Sequence, residues 1–472
     1  MKKISVAAIC IVFLSSLVLI PFASADSYTL VWKSNLSYPE RPYKMGVSWS
    51  YPIVVDGIVY VSSNGAFLNV TTTSPPYPIY PFSDIYALNA TNSAVVWDYQ
   101  DNSSSNYDSP AVDNGILFFG STSGSDNYFG ALNAANGLSL WNYTLGGEGW
   151  EITSSPVVAN GVVYIGAFNG LSGGLYALNE NNGDEIWIFP IYGGVASSPN
   201  VVNGVVYVGS RFSNNIYALD ATNGERLWNY TLPGEPTSYA ISTPAVSNGV
   251  VYVGSNVGNL YALNAANGVK LWNYGVGNGV FSPVVVNDTV YVLSTDPLSV
   301  YAIKATDGSK VWNSSLVEGT VFSSLVVDSG IVYVSVNNPT TSNEAGIYAL
   351  NAYDGEQLWT LPMPSYPAVI DGILYFGYSG GQVYAYSVSP IPFPTPTTNS
   401  PSPSVPEFPS AFIGIAVLMA AIVVVALIAR KRIEKMKKIN LENACGNALR
   451  FTADFVCDCA FDFNRVLCCR DS

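Results

Sequence analysis

The side chains of this 472-residue chain that could do chemistry form a narrow set. Histidine is absent. That excludes imidazole acid/base catalysis, Ser-His-Asp and Cys-His arrangements, and His-ligated zinc. The six cysteines are Cys10, Cys445, Cys457, Cys459, Cys468 and Cys469, so the long middle of the chain holds neither a thiol nor a disulfide. The tail cysteines lack the paired C-x-x-C spacing of a zinc site, and no metal site is assigned. Between Asp26 and Ser410 there are 8 Lys/Arg against 27 Asp/Glu. Such a surface repels nucleic acid. Asp220, Asp307 and Asp354 sit in turn contexts that explain them without catalysis. What remains is recognition chemistry. Pro75-Pro-Tyr-Pro-Ile-Tyr-Pro-Phe82 offers Tyr77, Tyr80 and Phe82 as stiff apolar contacts, with prolines that limit unfolded freedom. Glu148, Trp150 and Glu151 form a second such group. Together they are the candidate partner-binding face, suited to a protein, a glycan or a cation. The other reading is that these aromatics cap a channel and only stabilise the fold.

The elements that must position these groups come from a repeated phrase. It reads Tyr261-Ala-Leu-Asn-Ala-Ala-Asn-Gly-Val-Lys-Leu-Trp272 in one copy and Tyr217-Ala-Leu-Asp-Ala-Thr-Asn-Gly-Glu-Arg-Leu-Trp228 in another. Each is followed by a stretch such as Ser242-Thr-Pro-Ala-Val-Ser-Asn-Gly-Val-Val-Tyr-Val-Gly-Ser255. Trp32, Trp97, Trp141, Trp187, Trp228, Trp272, Trp312 and Trp359 are spaced by 40 to 47 residues, except for a first gap of 65 that contains an insertion, Asn64 to Ser83. A fixed period of this size means a repeat architecture. Each unit supplies four strand signals, A to D. Asn-Gly or Asp-Gly occurs between A and B and again between C and D, as in tight hairpins whose central residues have positive φ. Pro at the start of strand A fits a position that donates no ladder hydrogen bond. The expected fold is all-β: an eight-bladed β-propeller of four-stranded blades. The first element, around Trp32, is a lone D strand, and the last unit, Tyr366 to Ser387, has no Trp strand. Docking the N-terminal strand on the last blade closes the ring and removes an open edge.

The Ala-Leu-x-x-x-x-Gly-x-x-x-Trp phrase resembles the tryptophan-docking motif of the pyrroloquinoline-quinone (PQQ) repeat family. The resemblance implies that each Trp packs between blades and that the Gly allows a tight turn. One branch of that family holds PQQ and calcium, with an Asp base and often a vicinal disulfide. The only vicinal pair here, Cys468-Cys469, lies outside the repeats, and Arg211, Arg226, Lys270 and Lys304 form no quinone clamp. The other branch comprises non-enzymatic scaffolds similar to the outer-membrane assembly lipoprotein of Gram-negative bacteria. The expectation is therefore a monomeric binding scaffold without catalysis or cofactor, whose partner is an envelope protein or surface glycan. A PQQ-dependent dehydrogenase is the alternative.

The ends carry addresses. Residues 1–25 read as a signal peptide cleaved after Ala25, from Lys2, Lys3, an apolar run and Ala23-Ser-Ala25. The propeller is expected over 27–388, and a Pro/Ser/Thr-rich stalk over 389–410. Residues 411–429 are apolar or small and are expected to form one transmembrane helix. The basic, then Cys-containing, tail 430–472 is expected in the cytoplasm, leaving the propeller outside a single-pass anchor. Pro406-Glu407-Phe408 before the span resembles PEF-type sorting signals of archaeal surface proteins, which implies recognition by a sortase-like enzyme. Eight sequons, at Asn35, Asn69, Asn89, Asn102, Asn142, Asn229, Asn287 and Asn313, can accept N-glycans in an exported chain; a sequence rich in Asn, Ser and Thr also produces such triplets by chance.

Overall fold

The computed structural model describes residues 28–36, 44–68, 79–101, 109–122, 127–152, 154–170, 172–195, 197–234, 242–316, 319–321, 324–337, 345–378 and 381–391. The expected signal peptide, stalk beyond 391, membrane span and tail lie outside them, as does Pro406–Phe408. Among the described residues no helix is long and apolar enough to cross a membrane.

The described strands form eight antiparallel sheets. In each, the strands follow one another in chain order, as hairpin connections require. The exception is the closing blade. There the strand Tyr28–Asn35 pairs with Gln382–Val388, with Leu30 opposite Tyr386, Trp32 opposite Ala385 and Ser34 opposite Val383. The N-terminal strand thus supplies strand D of the eighth blade, as the phase of the repeats requires. Two blades carry a fifth strand beyond the expected four: Lys44–Trp49 pairs with the B strand of blade 1, and Thr320–Val321 with that of blade 7.

Position within a blade sets burial. A strands such as Val157–Ala159 and Val284–Val286 are three residues long and half-buried, and A strands of neighbouring blades touch one another around the ring. They are therefore innermost. B and C strands are buried on both faces: Val251, Val253, Leu260 and Ala262 have no exposed surface. The core lies between blades. One cluster joins Tyr207, Ile216 and Trp228 of blade 4 to Val251, Val253 and Leu263 of blade 5. D strands such as Arg226–Thr231 alternate buried and exposed and form the rim.

The Trp series has one geometry. Each ring tilts against the B-strand aromatic of its own blade, for example Tyr164–Trp187 at 5.8 Å and Tyr207–Trp228 at 5.9 Å between centroids. Its Nε1 donates to a carbonyl of the next blade: Trp97 to Ala134 (2.8 Å), Trp187 to Ala221 (3.1 Å), Trp228 to Ala265 (2.9 Å). The B-strand tyrosine hydroxyl donates to the same oxygen, from Tyr60, Tyr164 and Tyr207 respectively. A buried carbonyl has two lone pairs, and both are used. Trp32 closes the ring by donating to Ala90 (2.7 Å).

One joint differs. Trp359 Nε1 and the Tyr333 hydroxyl, the two donors between blades 7 and 8, are buried without a partner among the described residues. In blade 8 strand C runs straight through Val388 and makes no C–D turn, so no carbonyl is bent toward them. Tyr28 of the closing strand covers Trp359 instead, with ring centroids 4.9 Å apart.

The two turn classes are not alike. A–B turns have positive φ at both central residues, as at Asn248 (49°) and Gly249 (75°), which is the expected tight hairpin. C–D turns have it at a single residue, the glycine in blades 2 to 7 and Ser93 (φ 62°) in blade 1. In Asn264–Gly268, Gly268 has φ 72°. The Asn264 side chain accepts from Ala266 N, and the Asn267 side chain from Val269 N. A bulge follows, where the register slips between Ala262 and Leu263. The side-chain oxygens of Asn take the turn's free N–H groups, so this longer turn does not need a second left-handed residue.

Candidate functional site

The D–A and B–C connections emerge on one face, because strand B runs back from the A–B turn to the level where strand A began. The inner end of each D–A connection carries a recurring Ser-Ser-Pro or Ser-Thr-Pro. Its first hydroxyl accepts from the B-strand glycine of its own blade: Ser154 from Gly166 N (2.8 Å), Ser197 from Gly209 N (3.0 Å), Ser242 from Gly254 N (2.7 Å). Its second accepts from the preceding blade: Ser155 from Ser109 N (3.2 Å), Ser198 from Ser155 N (3.0 Å), Thr243 from Ser198 N (3.2 Å) and Ser282 from Thr243 N (3.0 Å). Two tyrosines, Tyr51 and Tyr366, stand at the equivalent positions of blades 1 and 8. The Tyr51 hydroxyl accepts from Ser324 N (2.6 Å), and the Tyr51 and Tyr366 rings meet edge to face at 5.2 Å. A hydroxyl girdle therefore lines the inner mouth on this face. The sequence places these positions at the start of strand A; the signal that points to the girdle is the hydroxyl residue before the strand-A proline in each of blades 2 to 6.

This mouth tests the PQQ reading. A quinone carrying three carboxylates needs cations or many free N–H donors. The eight positions of the ring, Tyr51, Ser109, Ser155, Ser198, Thr243, Ser282, Ser324 and Tyr366, are all neutral. The charged residues on the A strands are Asp113 and Asp328, both negative. Among the described residues, these ring and A-strand positions offer PQQ no cation. Among the described residues no three Asp, Glu, His or Cys side chains gather as a metal site would require.

Farther out on the same face the candidate residues part company. Tyr77 lies outside the described residues. Tyr80 and Phe82 belong to the strand Ile79–Asn89, where they stand opposite Phe67 and Gly65 of Ile58–Leu68. The insertion in blade 1 is thus largely a lengthened hairpin of two 11-residue strands. Glu148, Trp150 and Glu151 have their neighbours in blades 2, 3 and 4. Trp150 is half-buried against Tyr176 and the cluster of Phe129, Ile152 and Ile165, which favours the stabilising reading for this residue. Glu148 is exposed, and its carbonyl accepts from the Asn169 side chain (2.9 Å). Glu151 exchanges two backbone hydrogen bonds with Phe168. Its carboxylate lies 3.6 Å from Arg211 Nη1.

Arg211 is the residue that sequence reasoning set aside. Its guanidinium stacks 3.8 Å from the Phe168 ring centroid and 5.1 Å from that of Phe212, and the Arg211 backbone N–H donates to Gly194 O at 3.0 Å. Gly193 and Gly194 both have positive φ, and a Cβ on Gly193 would stand 2.6 Å from Phe212. This close approach leaves Tyr192, at the turn of the same loop, 63% exposed. The ion pair alone contributes little at this exposure; cation–π stacking adds on the order of 1 kcal/mol and holds the guanidinium in place. The result is a fixed cation framed by Phe168 and Phe212 and paired with Glu151, while Tyr192 is exposed on the loop that bonds the Arg211 backbone.

The chain matches the family model described as outer membrane protein assembly factor BamB over residues 23–173, 146–280 and 275–389. Among solved structures it is similar to BamB from Moraxella catarrhalis, at 16% identity and a TM-score of 0.57, covering 76% of this chain and 99% of that one. It is equally similar to quinohemoprotein alcohol dehydrogenase ADHIIG from Pseudomonas putida HK5, at 18% identity and a TM-score of 0.57, covering 78% of each chain. A computationally designed protein, Ika8, shares the fold at 14% identity and a TM-score of 0.55, covering 73% of this chain and 98% of that one. No curated protein matches the chain. At these identities the structural likenesses establish the fold.

Proposed function

This chain belongs to the family described as outer membrane protein assembly factor BamB, and from that premise we propose that it is a binding scaffold without catalysis, held at the cell surface by its C-terminal segment. The observation that carries the proposal is Arg211, stacked on Phe168 and Phe212 and paired with Glu151, its backbone bonded to the loop that exposes Tyr192. A cation fixed among aromatics on a rigid scaffold is suited to recognition, because little side-chain entropy remains to be lost on binding. The partner class is an envelope protein or a surface glycan. The signal, stalk, apolar span and basic flank occur in the order that an extracellular propeller on a single-pass anchor requires.

The test has two arms. Full-length protein extracted from membranes is screened against envelope proteins and surface glycans, alongside an Arg211→Ala, Tyr192→Ala double variant of unchanged melting temperature. Binding that falls at least tenfold in the variant supports the assignment, and unaltered binding rejects this face. The same protein is then incubated with PQQ and calcium. Stoichiometric uptake with dye-linked alcohol oxidation would replace the scaffold reading with the dehydrogenase one.

A further inference from the structure

The outer rim has a pattern of its own. The residue before each Trp is aliphatic, and in seven D strands (Val31, Val96, Leu140, Ile186, Leu227, Leu271 and Val311) it is between 44% and 51% exposed. These strands are also the outer edges of their sheets. An unpaired edge with an aliphatic side chain invites pairing with another chain. On blades 2, 4 and 6 the residue after the Trp is an asparagine that opens a sequon: Asn142-Tyr-Thr144, Asn229-Tyr-Thr231 and Asn313-Ser-Ser315. The asparagine and the hydroxyl residue are exposed in all three. They lie two apart on a strand, so both point outward with the aliphatic residue two positions before the asparagine. On blades 1, 3, 5, 7 and 8 the equivalent residues are Asp98, Ile188, Asn273 (followed by Tyr-Gly), Thr360 and Lys33, and no sequon forms at that position; on blade 8 the sequon asparagine is instead Asn35, the last residue of the strand.

The described sequons away from the rim differ. Asn89 lies at the C–D turn, where its Oδ1 accepts three bonds, from Thr91 N, Thr91 Oγ1 and Asn92 N, that fix the side chain against the backbone rather than on the outer strand. Asn287 sits in an A–B turn with φ 47°. At the rim Asn313 engages only its oxygen, which accepts from Lys310 Nζ at 2.9 Å, and Asn229 Nδ2 has a long 3.4 Å contact to Asn215 Oδ1 on the exposed surface.

We propose that Asn142, Asn229 and Asn313 carry N-linked glycans, which cover the aliphatic rim on alternate blades and leave the D–A and B–C face as the surface open to partners. This rests on the extracellular reading above. The co-substrate is a lipid-linked oligosaccharide. A bond forms between Asn Nδ2 and the sugar C1, the bond from C1 to the phosphate oxygen breaks, the lipid phosphate leaves, and one amide proton is lost. No group is oxidised or reduced. Each glycan emerges beside Leu140, Leu227 or Val311 and shields that residue and the edge around it.

The test uses protein recovered from the cells that make it. Peptide mass mapping is expected to find a glycan mass on all three asparagines. A Thr144→Ala, Thr231→Ala, Ser315→Ala variant keeps every asparagine but removes the acceptor signals. It is expected to lose the three masses, migrate faster on denaturing gels and aggregate more readily when concentrated. Protease added to intact cells supplies the control on location. If the propeller is cleaved and the three asparagines are unmodified, the glycan assignment falls and the surface reading stands. If the propeller is protected and unmodified, both fall.

Discussion

At the scale of single residues, Trp228 and Trp359 make a controlled comparison within one molecule. Both rings are buried and both tilt on a B-strand tyrosine, Tyr207 and Tyr333. Trp228 donates to Ala265 O, whereas Trp359 Nε1 has no acceptor among the described residues. Replacing Trp228 by Phe removes a satisfied buried bond and is expected to cost about 1 kcal/mol beyond the loss of ring volume. Replacing Trp359 by Phe removes a donor that had nothing to lose, so only the volume term remains. Denaturant unfolding of the two variants checks the difference; equal destabilisation would show that the inter-blade bond contributes nothing. Arg211 makes a separate point at this scale. In the sequence it is one of few cations in an acidic chain. Its meaning comes from Phe168, a whole blade away, and Glu151, in the connection before that.

At the scale of elements, the two glycine turns separate backbone strain from packing. Gly249 has φ 75° and nothing within 4 Å of a would-be Cβ, whereas Gly268 has φ 72° and its Cβ would meet the Trp228 ring at 2.6 Å. Gly249→Ala is expected to cost only the left-handed backbone term, about 1–2 kcal/mol. Gly268→Ala adds a clash against a ring fixed between two blades and is expected to cost distinctly more. Thermal melts of the pair measure it. The closing strand is the other element with a clear consequence. Deleting residues 28–35 uncovers the edge of Gln382–Val388 and strips Tyr28 from Trp359. The deleted protein is expected to aggregate at concentrations where the intact chain stays in solution, as light scattering would show. A soluble, cooperatively melting deletion would mean that the ring does not depend on this latch.

At the scale of the whole molecule, the repeated Tyr–Trp–carbonyl unit gives the propeller a pH limit. Burial holds the hydroxyls of Tyr60, Tyr207, Tyr252, Tyr291 and Tyr375 above their ordinary pKa of 10.0. That of Tyr164 is raised to about 12 by burial and by the Asp220 charge. The neutral form is therefore favoured in the folded state. Below pH 10 the folded and unfolded chains are both protonated and this contribution is fully present. As pH rises from about 10 to about 12 the unfolded chain releases protons that the folded one retains, so stability falls. The melting temperature is expected to decline steeply across that window, with a further step of tyrosinate absorbance when the protein unfolds. A melting temperature that stays level between about pH 10 and about pH 12, or no further absorbance step on unfolding, would contradict the buried hydroxyl network.

Blade number, strand order and ring closure were legible in the sequence because each depends on local periodicity: a Trp every 40 to 47 residues, a turn signal at fixed offsets, and complementary phases at the two ends. The inter-blade role of Trp and Gly was legible only through the family resemblance, since neither residue names its neighbour. Three features were settled by tertiary structure alone. The hydroxyl girdle exists because Ser155, Ser198 and Thr243 stand at one radius around an axis, a distance that no window along the chain measures. Blade 1's insertion became paired strands because the residues on its two sides align as Phe67 with Tyr80 and Gly65 with Phe82. The candidate site moved toward Arg211 because propeller loops distant in sequence converge on one face. Short-range pattern determines which strands form and in what order. Which side chains meet depends on closing the ring, and closure is a property of all eight blades together.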